Sequence, residues 1–318
     1  MKSLNQLIIT LMACLFSIQA WAQSGKLFNT DNQLSSNLAT QVFQDKSGFI
    51  WIATRNGLNT YDGYHITVMK KDMSNFLGLK SNYINSIAQD DKGHILLGTN
   101  NSLLEFTGSE FHKIPMLDSK GEELATYVKQ VYPLKNKDVA VATSGYGIML
   151  KKQDEQKCHA MKGEVEKLKY IHKLLEDKRG RLWIITEDGK LYRKETNGRV
   201  TSHLAGTEGV DAQDIQQDVL GNLYLASKNQ GVHLLRAGSN VFTRISSIGN
   251  LPIENIYISR NNKLYIGCDG LGIYVYDPQT GFLQDNPLFS RLVNLAKSKI
   301  TSIIEDNQGN IWVSMLQK

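Results

Sequence analysis

The sequence predicts an all-β fold, a β-propeller of four-stranded blades. Three observations carry that prediction. A ten-residue pattern returns at intervals of 41 to 47 residues, each copy lies in a segment readable as four short strands, and no stretch of 11 or more residues sustains a helical period. The pattern is clearest at residues 45–54, where Asp45 and Gly48 precede Ile50, Trp51 and Ile52. It returns at 90–99, 177–186, 218–227 and 306–315, and in worn form at 137–143 and 262–268. Trp51 therefore has equivalents in Leu96, Ala140, Trp183, Tyr224, Tyr265 and Trp312, with spacings of 45, 44, 43, 41, 41 and 47. Seven starts so evenly placed predict a seven-bladed ring whose last blade is incomplete.

Residues 1–22 read as a signal peptide. Lys2 supplies a positive start, an apolar run follows from Leu7 to Ile18, and Ala20 and Ala22 place small residues where a signal peptidase reads. The run is shorter than the roughly 20 residues a spanning helix needs. Cleavage after Ala22 is expected; Leu11 to Cys14 also resembles a lipoprotein cleavage box, so lipidation at Cys14 is the rival. Both predict export to the periplasm, with residues 23–318 forming the propeller.

Each unit then repeats one plan, best seen in the second. Residues 83–89 alternate and are rich in β-formers, giving an inner strand. Asp90 to Gly93 is a tight turn, in which the aspartate bonds nearby backbone and glycine accepts positive φ. Residues 95–99 are nearly all apolar, as in a strand buried on both faces. Asn100 and Asn101 turn the chain, residues 102–106 return it, and 111–114 form the outer strand. Glycine commonly opens the third strand, as at Gly57, Gly147, Gly189, Gly231 and Gly272. Residues 162–176 are strongly charged and end in an inner strand, so they read as loop followed by strand. After Trp312 no third or fourth strand follows, and residues 26–30 are expected to supply an outer strand for that last blade. The chain thus reads as a fragment or the front of a longer product.

A four-stranded unit of about 43 residues cannot cover both its faces alone, and radial packing lets neighbours cover one another. The Trp and Tyr at the equivalent position are expected to fill the gaps between blades.

Charge and cysteine content narrow the function. Without the leader, 35 basic and 31 acidic side chains leave a net charge of +4, spread along the chain. A nucleic-acid surface would cluster Lys and Arg on one face, so direct nucleic-acid binding is not expected. Cys158 and Cys268 fall in different units and read as two unpaired thiols. No cofactor or metal motif is evident: the seven histidines show no HExxH pairing, and no GxSxG elbow or phosphate-binding loop occurs. Asp45, Gly48 and Trp51 superficially resemble the Asp-box of sialidase propellers, but that box is a structural turn. The expectation is a non-enzyme, with a lyase or glycosidase as the enzymatic rival.

Residues 34–45, then Gly48 to Thr54, Asn56-Gly57-Leu58 and Tyr61-Asp62-Gly63, resemble the two-component regulator propeller repeat. The resemblance spans essentially the whole mature chain and is weakest in units three and six. It implies the extracytoplasmic sensor of a hybrid two-component system of the kind found in gut Bacteroidetes. Such receptors carry two seven-bladed propellers, a β-sandwich, a membrane span, a histidine kinase, a receiver and a DNA-binding domain. They sense oligosaccharides released from glycans and control the matching utilisation genes. The implied partners are an oligosaccharide, the remaining sensor domains and, in the full-length form, a second copy. This chain stops inside the first propeller, so it holds no kinase, span or DNA-binding helix.

Propeller geometry predicts that the loops between second and third strands converge on one end of the central channel. The candidate ligand-binding residues there are Arg55, Asn56, Asn100, Tyr146, Glu187, Lys228, Asn229 and Asp269. Amides and charged ends can bond hydroxyls and a phenol face can stack on a sugar, which suits a polar carbohydrate. Arg55 and Tyr146 stand out because neither is a usual turn former.

Overall fold

A computed structural model describes residues 25–71, 78–286, 291, 294 and 298–317. The expected signal peptide and the alternative lipidation site at Cys14 lie outside them. The described strands form an all-β propeller. Blade 1 consists of strands Ala39–Gln44, Ile50–Thr54, Gly57–Tyr61 and Ile66–Met69, hydrogen-bonded antiparallel in that order. Blade 2 repeats it with Ile84–Gln89, Ile95–Thr99, Leu103–Phe106 and Phe111–Ile114. The inner strands of the later blades are Val128–Pro133, Ile171–Glu176, Ala212–Gln217 and Ile253–Ile258. Blade 3 gains a fifth strand, Met116–Leu117, which pairs parallel with Cys158–Ala160. Residues 162–176 form one 3-10 turn, Glu164–Lys167, and then the inner strand, as expected of loop followed by strand.

Six complete blades are present among the described residues, so the expected seven-bladed count, with its last blade incomplete, is not confirmed. The seventh unit contributes only a two-stranded sheet, Ser298–Glu305 with Ile311–Gln317. Residues 26–30 do not supply its outer strand. Asn29 instead caps a short 3-10 turn, Thr30–Asn32, accepting the N–H groups of Asp31 and Asn32 at 2.9 and 3.2 Å while Asn32 accepts its own. Such local side-chain bonds compete with a sheet ladder. Phe28 still reaches the last unit, stacking on Trp312 with ring centres 5.6 Å apart.

The core sits between the sheets. Trp51, Ala53 and Leu58 of blade 1 pack on Ile84, Ile87 and Leu97 of blade 2. Trp183 and Ile185 pack on Ala212, Ile215 and Leu225 across the junction of blades 4 and 5. Ile300 and Ile303 pack with Ile273 of blade 6, while Ile304 and Trp312 meet Val42, Ile50 and Ile52 of blade 1, so the two-stranded sheet bridges the ring's ends. All seven repeat-equivalent residues occupy the second position of their strand and face one inner-strand position. Trp51 opposes Phe43, Trp183 opposes Leu175 and Trp312 opposes Ile304. Where the equivalent shrinks to Ala140, the opposing residue is Tyr132, which restores the aromatic bulk.

The turn aspartates explain the repeat's polar signature. Asp177 accepts the N–H groups of Arg179 and Arg181 on one oxygen and the Trp183 indole and Arg181 guanidinium on the other. Burial pushes this carboxyl up, but those donors outweigh it and hold it below the usual range. The indole therefore brings apolar bulk to the blade interface while its one donor is satisfied by the preceding turn. At the third strand, Gly231 (φ 70°) shows why glycine recurs there: a Cβ would sit 2.1 Å from the carbonyl oxygen of Gly249.

Candidate functional site

Every inner strand begins with a β-bulge, one residue in from its start in blades 1 to 6. The bulged residues are Thr40, Asn85, Lys129, His172, Gln213 and Glu254, joined by Thr301 in the two-stranded sheet. A bulge interrupts the alternation of faces and re-aims a side chain. Three of these residues tie neighbouring units: Thr40 donates to the Ile84 carbonyl, Asn85 to that of Val128 and Thr301 to that of Ala39. The other four, Lys129, His172, Gln213 and Glu254, line one polar cavity of about 400 Å³, with Thr186, Glu187, Asp188, Asp211, Lys228 and Lys299.

One residue further along each inner strand, a second polar series stitches blade to blade. Gln41 bonds both backbone groups of Ile87, Ser86 accepts from Val131 N–H, and Gln130 accepts from Leu174 N–H at 2.6 Å. Asp214, fully buried, accepts the Ile256 N–H at 3.0 Å and pairs with Lys173 at 3.2 Å. Ser302 contacts Val42 at 3.4 Å and so joins the last sheet to the first.

The loops after the second strands dock onto the entries of the inner strands. Backbone N–H groups of Arg55, Ser144, Glu187, Lys228 and Asp269 donate to the carbonyls of Leu38, Tyr127, Tyr170, Asp211 and Pro252. These bonds hold the loops beside the blade linkers at the same end of the channel. The candidate residues there separate into two groups. Glu187 and Lys228 line the cavity, where Glu187 meets Lys129 at 3.3 Å and Lys228 meets Glu254 at 3.9 Å. Arg55 lies with its guanidinium 5.5 Å from the Tyr83 ring centre. Asn56 and Tyr146 are exposed in their loops and do not line the cavity. The Asn100 side chain accepts from the Ser81 hydroxyl. Asn229 is committed to bracing, its amide bridging Gly209 O and Asp211 N–H.

Residues that the sequence reading passed over complete the mouth. Tyr83, Tyr127 and Tyr170 each stand immediately before an inner strand, in three successive blades. Tyr83 and Tyr127 meet edge to face at 6.1 Å, the Tyr127 hydroxyl donates to Asn85, and Lys129 lies 4.8 Å over the Tyr127 ring. Burial and the neighbouring Tyr83 push the Tyr127 phenol well up, against a pull from Arg55, so it stays a neutral donor. Lys299 closes the far side, 2.8 Å from Glu254. At the centre, burial and four lysines (Lys173, Lys129, Lys228 and Lys299) push His172 down to about 4, leaving a neutral imidazole at pH 7. The mouth thus runs from an Arg–Tyr–Tyr–Lys series into a pocket of paired charges, which can present ring faces, donors and acceptors to one polar ligand.

A family model described as the two component regulator propeller matches residues 33–56, 78–101 and 294–317. The chain carries two-component regulator propeller repeats. Its structure is similar to the extracellular domain of a hybrid two-component system from B. thetaiotaomicron, with a TM-score of 0.78, 23% identity, and coverage of 92% of this chain and 40% of that one. A second such domain from the same organism gives a TM-score of 0.71 at 16% identity, covering 87% of this chain and 39% of that chain. The chain therefore spans about 40% of the length of these extracellular domains. Virginiamycin B lyase from Staphylococcus aureus shares the fold at a TM-score of 0.69 and 14% identity, over 91% of this chain and 94% of the lyase. No curated protein sequence matches the chain. Among the described residues no helix is long and apolar enough to cross a membrane.

Proposed function

We propose that this chain is the ligand-sensing propeller at the periplasmic front of a hybrid two-component regulator. On this reading it binds an oligosaccharide at the channel mouth, and the bound state controls glycan-utilisation genes through the rest of a longer, dimeric receptor. The observation that carries the proposal is the mouth itself. Paired Lys and Glu side chains line a cavity of about 400 Å³, large enough for one or two sugar rings, and Lys129 links its wall to the adjoining Tyr127 and Tyr83 rings. The two-stranded sheet packs between blade 6 and blade 1, which supports a seven-bladed ring whose last blade is incomplete.

His172 is a poor candidate for a general base. An imidazole with a pKa near 4 is a weak proton acceptor at neutral pH, and efficient general bases sit closer to the working pH. A protein-docking role would instead draw on the opposite end, where Val219 and Leu220 are 75% and 71% exposed at one turn. Calorimetric titration of the chain with neutral and acidic oligosaccharides tests the sensing role. Arg55→Ala and Tyr127→Ala are each expected to weaken the bound sugar about tenfold, about 1.4 kcal/mol, with the far-UV spectrum retained. Unchanged affinity in both would remove the mouth as the site, and release of a cleaved product would replace sensing by catalysis.

A further inference from the structure

Five units carry the turn aspartate, and in four of them each carboxylate oxygen has a hydrogen-bond donor. The second oxygen accepts from Trp51 at Asp45, from Trp183 and Arg181 at Asp177, from Asn222 at Asp218, and from Trp312 and Asn310 at Asp306. Asp90 differs. Its Oδ1 accepts the His94 N–H at 2.8 Å as the other turns do, but Leu96 stands where the indole would be. Only Nδ1 of His94 approaches Oδ2, at 3.5 Å, and the same nitrogen lies 3.2 Å from Oε1 of Glu105 on the third strand of that blade. The two carboxylate side chains are 3% and 5% exposed, whereas the imidazole keeps 30%.

Two buried carboxylates facing one imidazole leave a net negative charge even when the ring is protonated, and burying uncompensated charge is costly. The nearby ammonium of Lys46 is spent on the backbone carbonyl of Asp90, at 3.2 Å, the same latch that Lys135 and Arg260 make at other junctions. We propose that Asp90, His94 and Glu105 form a divalent transition-metal site in blade 2, with zinc the best match. Bonds of about 2.0–2.2 Å in a tetrahedral zinc site place ligand atoms roughly 3.3–3.5 Å apart. The 3.5 Å separation matches such an edge and the 3.2 Å one is about 0.1 Å shorter, and all three ligand atoms lie within 4.8 Å of one another. One neutral imidazole, two carboxylates and a water from the exposed side complete four ligands and cancel the charge; an imidazolium proton, where present, is released on binding. The cation would tie the turn of blade 2 to its third strand, whereas in blades 1 and 4 an indole ties the turn to the second strand.

The test is calorimetric titration of the whole chain, stripped with chelator, against Zn²⁺, Mn²⁺ and Ca²⁺. One zinc per chain is expected, with a raised melting temperature and an absorption-edge spectrum showing one nitrogen and oxygen neighbours near 2.0–2.1 Å. Glu105→Gln, which keeps the volume, should weaken zinc at least tenfold, and His94→Ala should abolish it. His112→Ala, at the cross-strand neighbour of Glu105, should change neither. No zinc uptake at about 100 µM, or uptake indifferent to both Glu105→Gln and His94→Ala, would overturn the site.

Discussion

Trp183 offers the sharpest test of how the ring is held. Its side chain is fully buried between blades 4 and 5, meets Phe242 edge to face at 5.8 Å and donates to Asp177 at 2.8 Å. Truncation to alanine removes most of the aromatic packing, about 3–5 kcal/mol, and a hydrogen bond to an ionised group, about 1.5–3 kcal/mol. The expected loss is about 5 kcal/mol, a large part of a domain's typical 5–15 kcal/mol. Trp183→Phe keeps the ring but drops the donor. Because Arg181 and two backbone N–H groups still hold Asp177, that variant should lose only about 1–2 kcal/mol. Urea unfolding followed by far-UV circular dichroism measures both, since the substitution itself removes a fluorophore. Combining Trp183→Phe with Asp177→Asn should cost less than the sum of the two. A loss below about 1 kcal/mol for Trp183→Ala, or equal losses for the two Trp183 variants, would refute the wedge-and-donor account.

Three further outcomes follow from the same structure. Asp214→Ala strands the Lys173 ammonium and the Ile256 N–H, so urea unfolding should show a loss of about 3–5 kcal/mol, whereas a loss near zero would mean the pair is dispensable. His172 resists protonation in the folded state. The unfolded chain therefore binds the extra proton between about pH 6.5 and 4, and stability should be full above that window and fall as pH drops through it. His172→Gln should flatten that part of the melting-temperature profile, and an unaltered profile would discount the group. Burial pushes the thiols of Cys158 and Cys268 up to about 12, so both should ignore a thiol reagent at pH 8 in the native protein and react once unfolded.

Strand order was legible because the same residues serve two purposes at each recurrence. The aspartate closes a turn and orients the indole, and the apolar run after it must be shielded on both faces. The aromatic bulk survives even where it moves across the ladder, from position 140 to Tyr132. Residues 26–30 misled because their place ahead of the first unit says nothing of the reciprocal bonds of Asn29 and Asn32. At the mouth, Arg55, Glu187 and Lys228 could be placed from the loop positions alone. Lys129, His172, Gln213 and Glu254 could not, since a bulge looks like a mere lapse in alternation until the pairing is seen. One signal was available and unused: tyrosine recurs at 83, 127 and 170, just ahead of three inner strands.

Asp214 contacts Lys173 on one side and Asn255 and Ile256 on the other, so a single carboxylate is shared by three consecutive sheets. Tilting the middle sheet would have to break both attachments at once. Blades 4 to 6 are thereby cross-braced through one carboxylate, whereas the same strand position at the joint of blades 2 and 3 and at that of the last sheet and blade 1 holds an uncharged serine, Ser86 or Ser302.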